Sequence, residues 1–418
     1  MPSVLPNTEG HISREFDLSK GFQKLRIVLL THPASLGSVS MPRFAGMISR
    51  AMTARGHEVQ MWTSPPKFSA MANRSPFVRK WLGYVDQFLM YPRNLRRRIN
   101  RQPDNTLFVV TDQALGIWVP CLAHRPHVIH CHDFMALKSA LGEFPENPTG
   151  WTGRQYQRLI RRGFSQGKNF ISVSEKTKTD LCHLLPHPPK VSKVVHNGLN
   201  HPFQPMDLAE RLVCLQPTGI EIAESGFIVH VGGNQWYKNR LGVLKIYQCL
   251  AATHLHSPAL WMIGPKPTDS LLKLAEAIPH PGKVYFLSDL ANEQVNAAYA
   301  HARALLFPSL EEGFGWPIVE AMASGCPVIT TDTAPMNEIA GGAARLIPRM
   351  PQDLVEQTGW AIVAARTVDE VIRLSDYQKS SLIEQGKLNA TRFKTETAIA
   401  AYEKIYSEAL GLKTEAGG

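Results

Sequence analysis

Cysteine is sparse and scattered: Cys121, Cys131, Cys182, Cys214, Cys249 and Cys326 form no Cys-x-x-Cys pair and no dense framework. That excludes a disulfide-stapled scaffold and suits a reducing compartment. No run of 18 apolar residues occurs, so no membrane-spanning helix is expected. Residues 1–24 lack an apolar core and carry acids, which reads as a flexible N-terminal arm rather than a signal peptide. No recognised nucleic-acid module is visible, and there is no short internal repeat beyond an αβ rhythm.

Acidic residues are short in the first half. Residues 1–205 hold 27 Lys/Arg against 12 Asp/Glu, whereas residues 206–418 hold 18 against 23. The basic half therefore expects an anionic partner, whether membrane, nucleic acid or an acidic acceptor. At 418 residues the chain is long for one core and natural for two domains of about 200 residues each. Its 44% hydrophobic and 19% charged content is that of a folded globular protein.

What is present gathers in one stretch, residues 304–331, ALLFPSLEEGFGWPIVEAMASGCPVITT. Ala304 to Phe307 has the length of a strand buried on both faces. Pro308 and Ser309 stop it, and a loop with two acids and two glycines follows. Pro317 suits the first turn of a helix over Ile318 to Ser324; Gly325 ends it and Pro327 forbids its continuation. Val328 to Thr331 is then the next buried strand. Gly313 and Gly315 let the backbone approach a ligand closely and take positive φ, and amides at a helix start form an anion site. Glu312 and Glu320 would repel phosphate but accept hydroxyl hydrogen bonds well. Phosphate on amides with sugars on carboxylates describes a nucleotide sugar; an ordinary βαβ unit with a Gly-rich loop is the plainer alternative.

A second loop of this kind follows the strand Phe227 to Val231. Gly232, Gly233 and Asn234 lead through Lys238, Asn239 and Arg240 into a helix reaching Ala252, with Lys238 as a point charge. Leu260 to Ile263, Val284 to Leu287, Ala304 to Phe307 and Val328 to Thr331 continue a parallel sheet, and beyond Gly341-Gly342 the chain reads as mainly helical to Leu410. In the first half, Leu25 to Leu30, a loop around Gly37, a helix over Met41 to Arg55 and the strand Val59 to Trp62 open a doubly wound sheet. Leu107 to Val110, His127 to His130, Asn169 to Val173 and Lys190 to Val195 extend it.

The strand His127 to His130 runs into Cys131, His132 and Asp133, at the carboxyl end where open α/β sheets bind ligands. His130, Cys131, His132 and Asp133 also invite a zinc reading. Alternating residues at a strand end do not converge on one ion, so no metal is expected. Phe77 to Tyr91 is amphipathic at helical spacing, and from Lys67 to Arg101 nine basic residues face one acid, Asp86. A core-packing helix with a solvated basic flank and a membrane-surface element both fit that pattern.

The string P-S-x-x-E-G-F-G-x-P-x-x-E-A-M-A-x-G-x-P-V-I, containing Glu312-x7-Glu320, resembles the donor-site signature of retaining GT-B glycosyltransferases of family 4 (glycosyl transferases group 1). V-I-H-x-H-D, S-V-S-E-x-T-K-x-D-L and N-G-L-N extend the resemblance over roughly residues 25–395. It implies an α/β GT-B fold, two Rossmann-like domains with parallel sheets facing across a cleft. The acceptor-side domain would be 25–203, the nucleotide-sugar domain 204–395, and 396–418 a C-terminal helix that can cross back to the first domain. Donor binding would fall to Gly37, Gly233, Asn234, Lys238, Arg240, Glu312, Gly313, Phe314, Gly315 and Glu320, the acceptor side to His132 and Asp133. Catalysis would rest on Glu312, His132 and Lys238. In this picture Lys238 holds the diphosphate, Glu312 the sugar hydroxyls and Glu320 the ribose. The family's loop arginine is missing: Gly233 or Asn234 occupies its place, and Arg240 is the candidate substitute.

The reaction so implied is sugar transfer from a nucleotide sugar to a lipid-linked, polysaccharide or other glycan acceptor. Configuration would be retained by front-face attack, without metal or other cofactor. A cytoplasmic protein is expected, peripheral on an anionic inner membrane face and without a nucleic-acid partner. A phosphorylase would need a lysine for pyridoxal phosphate, and none stands out. A GT-B-fold epimerase and a catalytically silent nucleotide- or glycan-binding scaffold remain as alternatives.

Overall fold

The computed structural model describes residues 23–32, 40–65, 82–83, 85–199, 201–253 and 256–412. Gly37 lies outside the described residues, as do residues 66–81 and Tyr84 of the basic amphipathic element.

Among the described residues, two six-stranded sheets organise the fold. The first contains β1 (Arg26–Thr31), β2 (Glu58–Thr63), β3 (Thr106–Val110), β4 (His127–Cys131), β5 (Asn169–Ser172) and β6 (Val191–Val194), in the order β2-β1-β3-β4-β5-β6. The second contains β7 (Ile228–Val231), β8 (Leu260–Ile263), β9 (Val284–Leu287), β10 (Ala304–Phe307), β11 (Val328–Thr331) and β12 (Arg345–Ile347), in the order β12-β11-β10-β7-β8-β9. Neighbouring strands pair in parallel in both sheets. Helices cover both faces, which is why β1, β3 and β10 read as nearly continuous apolar runs rather than alternating ones, and why β4 and β11 are buried throughout. The stretch beyond Gly342, mainly helical as expected, also includes β12. Only Ile347 of its three residues is buried, so this edge strand carries no strand-like apolar pattern.

Strand order reverses between β1 and β3 in one sheet and between β7 and β10 in the other. Such switch points open a crevice at the carboxyl ends of the strands. Loops from those ends meet between the domains: Ser174, after β5, donates to the carbonyl of Gly313, after β10, at 2.8 Å.

The C-terminal helix Thr395–Ala409 packs on the first sheet, with Ile399, Tyr402 and Tyr406 in one core with Ile27, Leu29, Phe44 and Val128. Its buried Glu403 accepts from His57 Nε2 and Arg55 Nη1, each at 2.7 Å. The chain thus passes between domains twice, and the passes touch: Thr395 Oγ1 donates to the Leu199 carbonyl at 2.7 Å. Gly198 permits this, since a Cβ there would lie 2.4 Å from Thr395 Cα.

The described end of the basic element is a π-turn, Asp86–Met90, continuing into the helix Tyr91–Ile99. Tyr91, Leu95 and Ile99 are buried, and Trp118 Nε1 donates to the Gln87 carbonyl at 3.1 Å. Arg93, Arg96, Arg97 and Arg98 stay exposed, with the Arg98 guanidinium 3.9 Å over the Trp62 ring. Among the described residues, no helix is long and apolar enough to cross a membrane.

Candidate active site between the two sheets

The switch between β7 and β10 is built by loops that hold one another. After β7 comes a 3-10 turn, Trp236–Lys238, then Asn239 in the left-handed region at φ 52°. A short polar side chain tolerates that conformation better than most. Asn239 Oδ1 accepts from the Gly242 amide at 3.1 Å, capping the helix Arg240–Thr253, while its Nδ2 donates to the Pro308 carbonyl at 2.9 Å. The Leu310 amide donates to the Tyr237 carbonyl at 2.7 Å, pinning the other side of the loop. Beneath lies His230, whose Nδ1 donates to the Leu306 carbonyl at 2.9 Å; burial drives its pKa down to about 3, so it is neutral.

These constraints bring Lys238 onto Glu312. Lys238 Nζ donates to both carboxylate oxygens, at 2.8 and 3.1 Å, and Glu312 is 6% exposed. The ammonium also stands 5.4 Å from the rings of Tyr237 and Phe307. Lys238, expected to offer a free charge to a ligand, is therefore neutralised by the glutamate expected to serve the same ligand. Glu320, on the helix Trp316–Ala323, accepts from Tyr299 OH at 3.1 Å. Burial raises its pKa to about 7, against the pull of the Tyr299 hydrogen bond and the Lys238 charge.

Residues 41–202 match the family described as Glycosyltransferase Family 4, and residues 226–362 match Glycosyl transferases group 1. The chain is a pair of glycosyltransferase-family domains in a GT-B fold. O-antigen chain mannosyltransferase B of Escherichia coli is 28% identical over 46% of this chain and 50% of that protein. MMP alpha-(1->4)-mannosyltransferase of Mycolicibacterium hassiacum is 26% identical over 61% of this chain and 58% of that one. The chain thus spans between half and three-fifths of the length of these relatives. Among solved structures, WaaG, a glycosyltransferase involved in lipopolysaccharide biosynthesis, superposes with a TM-score of 0.65 at 17% identity, covering 91% of this chain and 99% of WaaG. Anabaena HepE in complex with UDP and glucose gives 0.64 at 16%, covering 92% and 100%. At that identity these likenesses establish the fold.

Other residues expected at the site are held by contacts within the protein. Arg240 is turned into the protein: Nη1 donates to Asn234 Oδ1 and, at 3.0 Å, to the Pro265 carbonyl, while Nε and Nη2 are buried without partners. Asn234 is engaged on its other side too, Nδ2 donating to the Lys266 carbonyl at 2.8 Å. Gly233 accompanies them in the loop after β7. Phe314 is a core anchor, 5.6 Å from the Phe393 ring. Gly315 takes φ 101° at the start of its helix. Gly313 needs no positive φ; it is glycine because a Cβ would stand 2.0 Å from the His132 carbonyl oxygen. The close approach expected for a ligand is made here by the other domain.

On the first domain, His132 Nε2 donates to the Thr111 carbonyl at 2.9 Å and its ring stands edge-on to Phe44 at 4.5 Å. Nδ1 is therefore the acceptor nitrogen, and burial, outweighing the Asp112 charge and the Thr111 bond, lowers its pKa. Asp133 Oδ1 accepts from the Met135 amide at 3.0 Å. Burial first, then Asp112 and Glu312, raise its pKa to about 6. His130 is a core histidine 2.7 Å from Tyr406 OH, and Cys131 is buried.

The junction also uses residues the sequence reading passed over. Thr111, Asp112 and Gln113 follow β3, and Gln113 brackets the next loop by accepting from the His132 amide and donating to the Asp133 carbonyl. Lys176 pairs with Glu311 across the domains; burial pulls its pKa down, but Glu311 and Asp180 more than offset that. Glu338 accepts from the Glu175 amide and from His196 Nε2, both at 2.9 Å. Position just past a strand was the one available signal for Asp112 and Gln113.

Proposed function

We propose that this protein is a retaining glycosyltransferase that moves a sugar from a nucleotide sugar to a glycan or lipid-linked acceptor. The observation that carries the reading is the buried Lys238–Glu312 pair at the β7/β10 switch, with Glu320 eight residues further along. An arriving diphosphate competes for Lys238 as a stronger anion. Glu312, relieved of its partner, then accepts the sugar hydroxyls, and Glu320 accepts those of the ribose. Lys238 and the loop amides stabilise the charge that grows on the departing diphosphate. Arg240 supports Asn234 from below instead of touching that group. His132 and Asp133 line the acceptor side, brought to the site by the contact of Gly313 with His132.

The mannosyltransferase relatives favour a hexose donor, and those named for the O-antigen favour a growing polysaccharide as acceptor. Front-face attack within an ion pair accounts for retention without a carboxylate nucleophile. No metal or other cofactor is assigned. The arginines exposed on the helix Tyr91–Ile99 suit peripheral contact with an anionic membrane on the cytoplasmic side. Vesicle co-sedimentation checks this contact: binding should need anionic lipid and weaken with salt, and a supernatant protein at low salt contradicts it.

The function is tested by incubating the protein with UDP-, GDP- and ADP-sugars and measuring nucleoside diphosphate release with glycan acceptors present. Release with one base, dependent on acceptor, is expected. Binding without release identifies a scaffold, and sugar interconversion without transfer identifies an epimerase.

A further inference from the structure

A cavity of about 440 Å³ opens at the end of the second sheet away from the site described above. Ser225, shortly before β7, and Arg303, immediately before β10, place it at the amino ends of the two central strands. Lys238 and Glu312 follow the carboxyl ends of those same strands, so the length of the strands separates the two places. The volume is within the range of pockets that hold small organic ligands, and sugar transfer gives the cavity no task.

Its wall is cationic. Arg211, Arg303, Lys379 and Lys387 bring positive side chains from three segments of the chain, against one carboxylate, the exposed Glu224. Part of that charge is already committed. Arg211 Nη1 and Nε donate to the Ala300 and Asp207 carbonyls, at 2.7 and 3.1 Å. Arg303 Nη2 donates to the Ile372 carbonyl, and Lys387 Nζ to Glu384 Oε1 at 2.9 Å. Among the described residues, no hydrogen bond or ion pair holds the Lys379 ammonium. A recess lined by charge of one sign concentrates the counter-ion.

His301 belongs to the same wall and is 6% exposed. Its Nε2 donates to the Ala223 carbonyl at 3.0 Å, so in the neutral ring Nδ1 keeps the lone pair. That Nδ1 is buried without a partner. Buried polar atoms are nearly always hydrogen-bonded, so this nitrogen calls for a donor. Met206 and Ile383 make another part of the wall apolar.

We propose that this cavity binds a phosphate group, either free phosphate or the monoester of a small sugar. The phosphate oxygens accept from Lys379 and Arg303, whose guanidinium matches phosphate geometry. A P–OH or a sugar hydroxyl donates to His301 Nδ1, and the carbon skeleton of an ester lies against Met206 and Ile383. The assignment stands apart from the transfer reading, since it uses neither Lys238 nor the two glutamates.

The test is calorimetric titration of the protein with inorganic phosphate, mannose 6-phosphate and mannose at one fixed salt concentration. Phosphate-bearing ligands should bind at one site, and mannose should not. Lys379→Ala should weaken that binding about tenfold or more, the usual worth of a charge-assisted hydrogen bond. Lys238→Ala, altered at the other end of the sheet, should bind as the wild type does. Tighter binding of mannose 6-phosphate assigns an organic phosphate, and binding of inorganic phosphate alone assigns the free ion; both uphold the site. No binding of either, equal binding of mannose, or a loss in Lys238→Ala that Lys379→Ala does not show overturns it. Should Lys379→Ala fail to fold, Lys379→Gln carries the same expectation, and wild-type affinity in that variant overturns the site.

Discussion

Glu320 shows how one side chain can report on the ligand. Its carboxyl, raised by burial to about 7, is divided between both protonation states near neutral pH. Ribose hydroxyls donated to the carboxylate favour the ionised form, so binding should lower the pKa and expel a proton. Nucleotide affinity should therefore rise as pH rises through about 7, and calorimetry in buffers of different ionisation enthalpy should show proton release. Glu320→Gln should bind more weakly and lose both effects; a pH-independent wild type would place the ribose elsewhere. At Lys238, a charge-assisted hydrogen bond contributes roughly 1.5–3 kcal/mol, so Lys238→Ala should weaken nucleoside diphosphate binding about tenfold to a hundredfold. Unphosphorylated nucleoside should bind nearly as before, and equal losses for both would make the lysine structural. The glutamates were legible because their spacing lies within one strand, loop and helix. That Lys238 would sit on Glu312 was not legible: the two are 74 positions apart, and only the paired loops after β7 and β10 bring them together.

At the scale of elements, the loop Glu312–Gly315 belongs to one domain and rests on the other. The Gly313 carbonyl accepts from Ser174 Oγ at 2.8 Å and Thr177 Oγ1 at 3.3 Å, and its missing side chain makes room for the His132 carbonyl. Gly313→Ala should hold this loop off the first domain. Overpacking of this kind costs about 1–3 kcal/mol. Nucleoside diphosphate binding, a matter for the second domain, should survive while sugar transfer falls; unchanged transfer would mean the contact is incidental. Most strands were legible because strands buried on both faces must be apolar throughout, as in β1 and β10. β12 was not, being three residues long and mostly exposed. The partners of Gly313 escaped notice because close backbone approach leaves no trace in sequence beyond a glycine, and glycine has many causes.

At the scale of the molecule, the two sheets are joined by contacts at the mouth of the cleft and by the returning C-terminal helix. The helix Glu175–Leu184 meets Glu338 from the other domain at its N-terminus. Burial raises the Glu338 pKa, but His196 and the Glu175 and Lys176 amides outweigh it, leaving it below the ordinary value. A depressed carboxyl holds the latch above its ordinary range, and the contribution is lost as pH falls through the folded value. Glu338→Ala should thus enlarge the ligand-free radius of gyration in small-angle scattering; an unchanged radius would make the latch dispensable. The central claim is that one buried ion pair both guards the diphosphate site and serves the sugar. Side-by-side measurement of nucleoside diphosphate affinity and sugar transfer in wild type and Glu312→Gln tests it most directly. Removing the carboxylate charge frees Lys238, so affinity should hold or tighten. Transfer should fall by roughly 10²-fold or more, about 3 kcal/mol of lost transition-state stabilisation. Full transfer in Glu312→Gln, or affinity lost in step with transfer, would contradict the account.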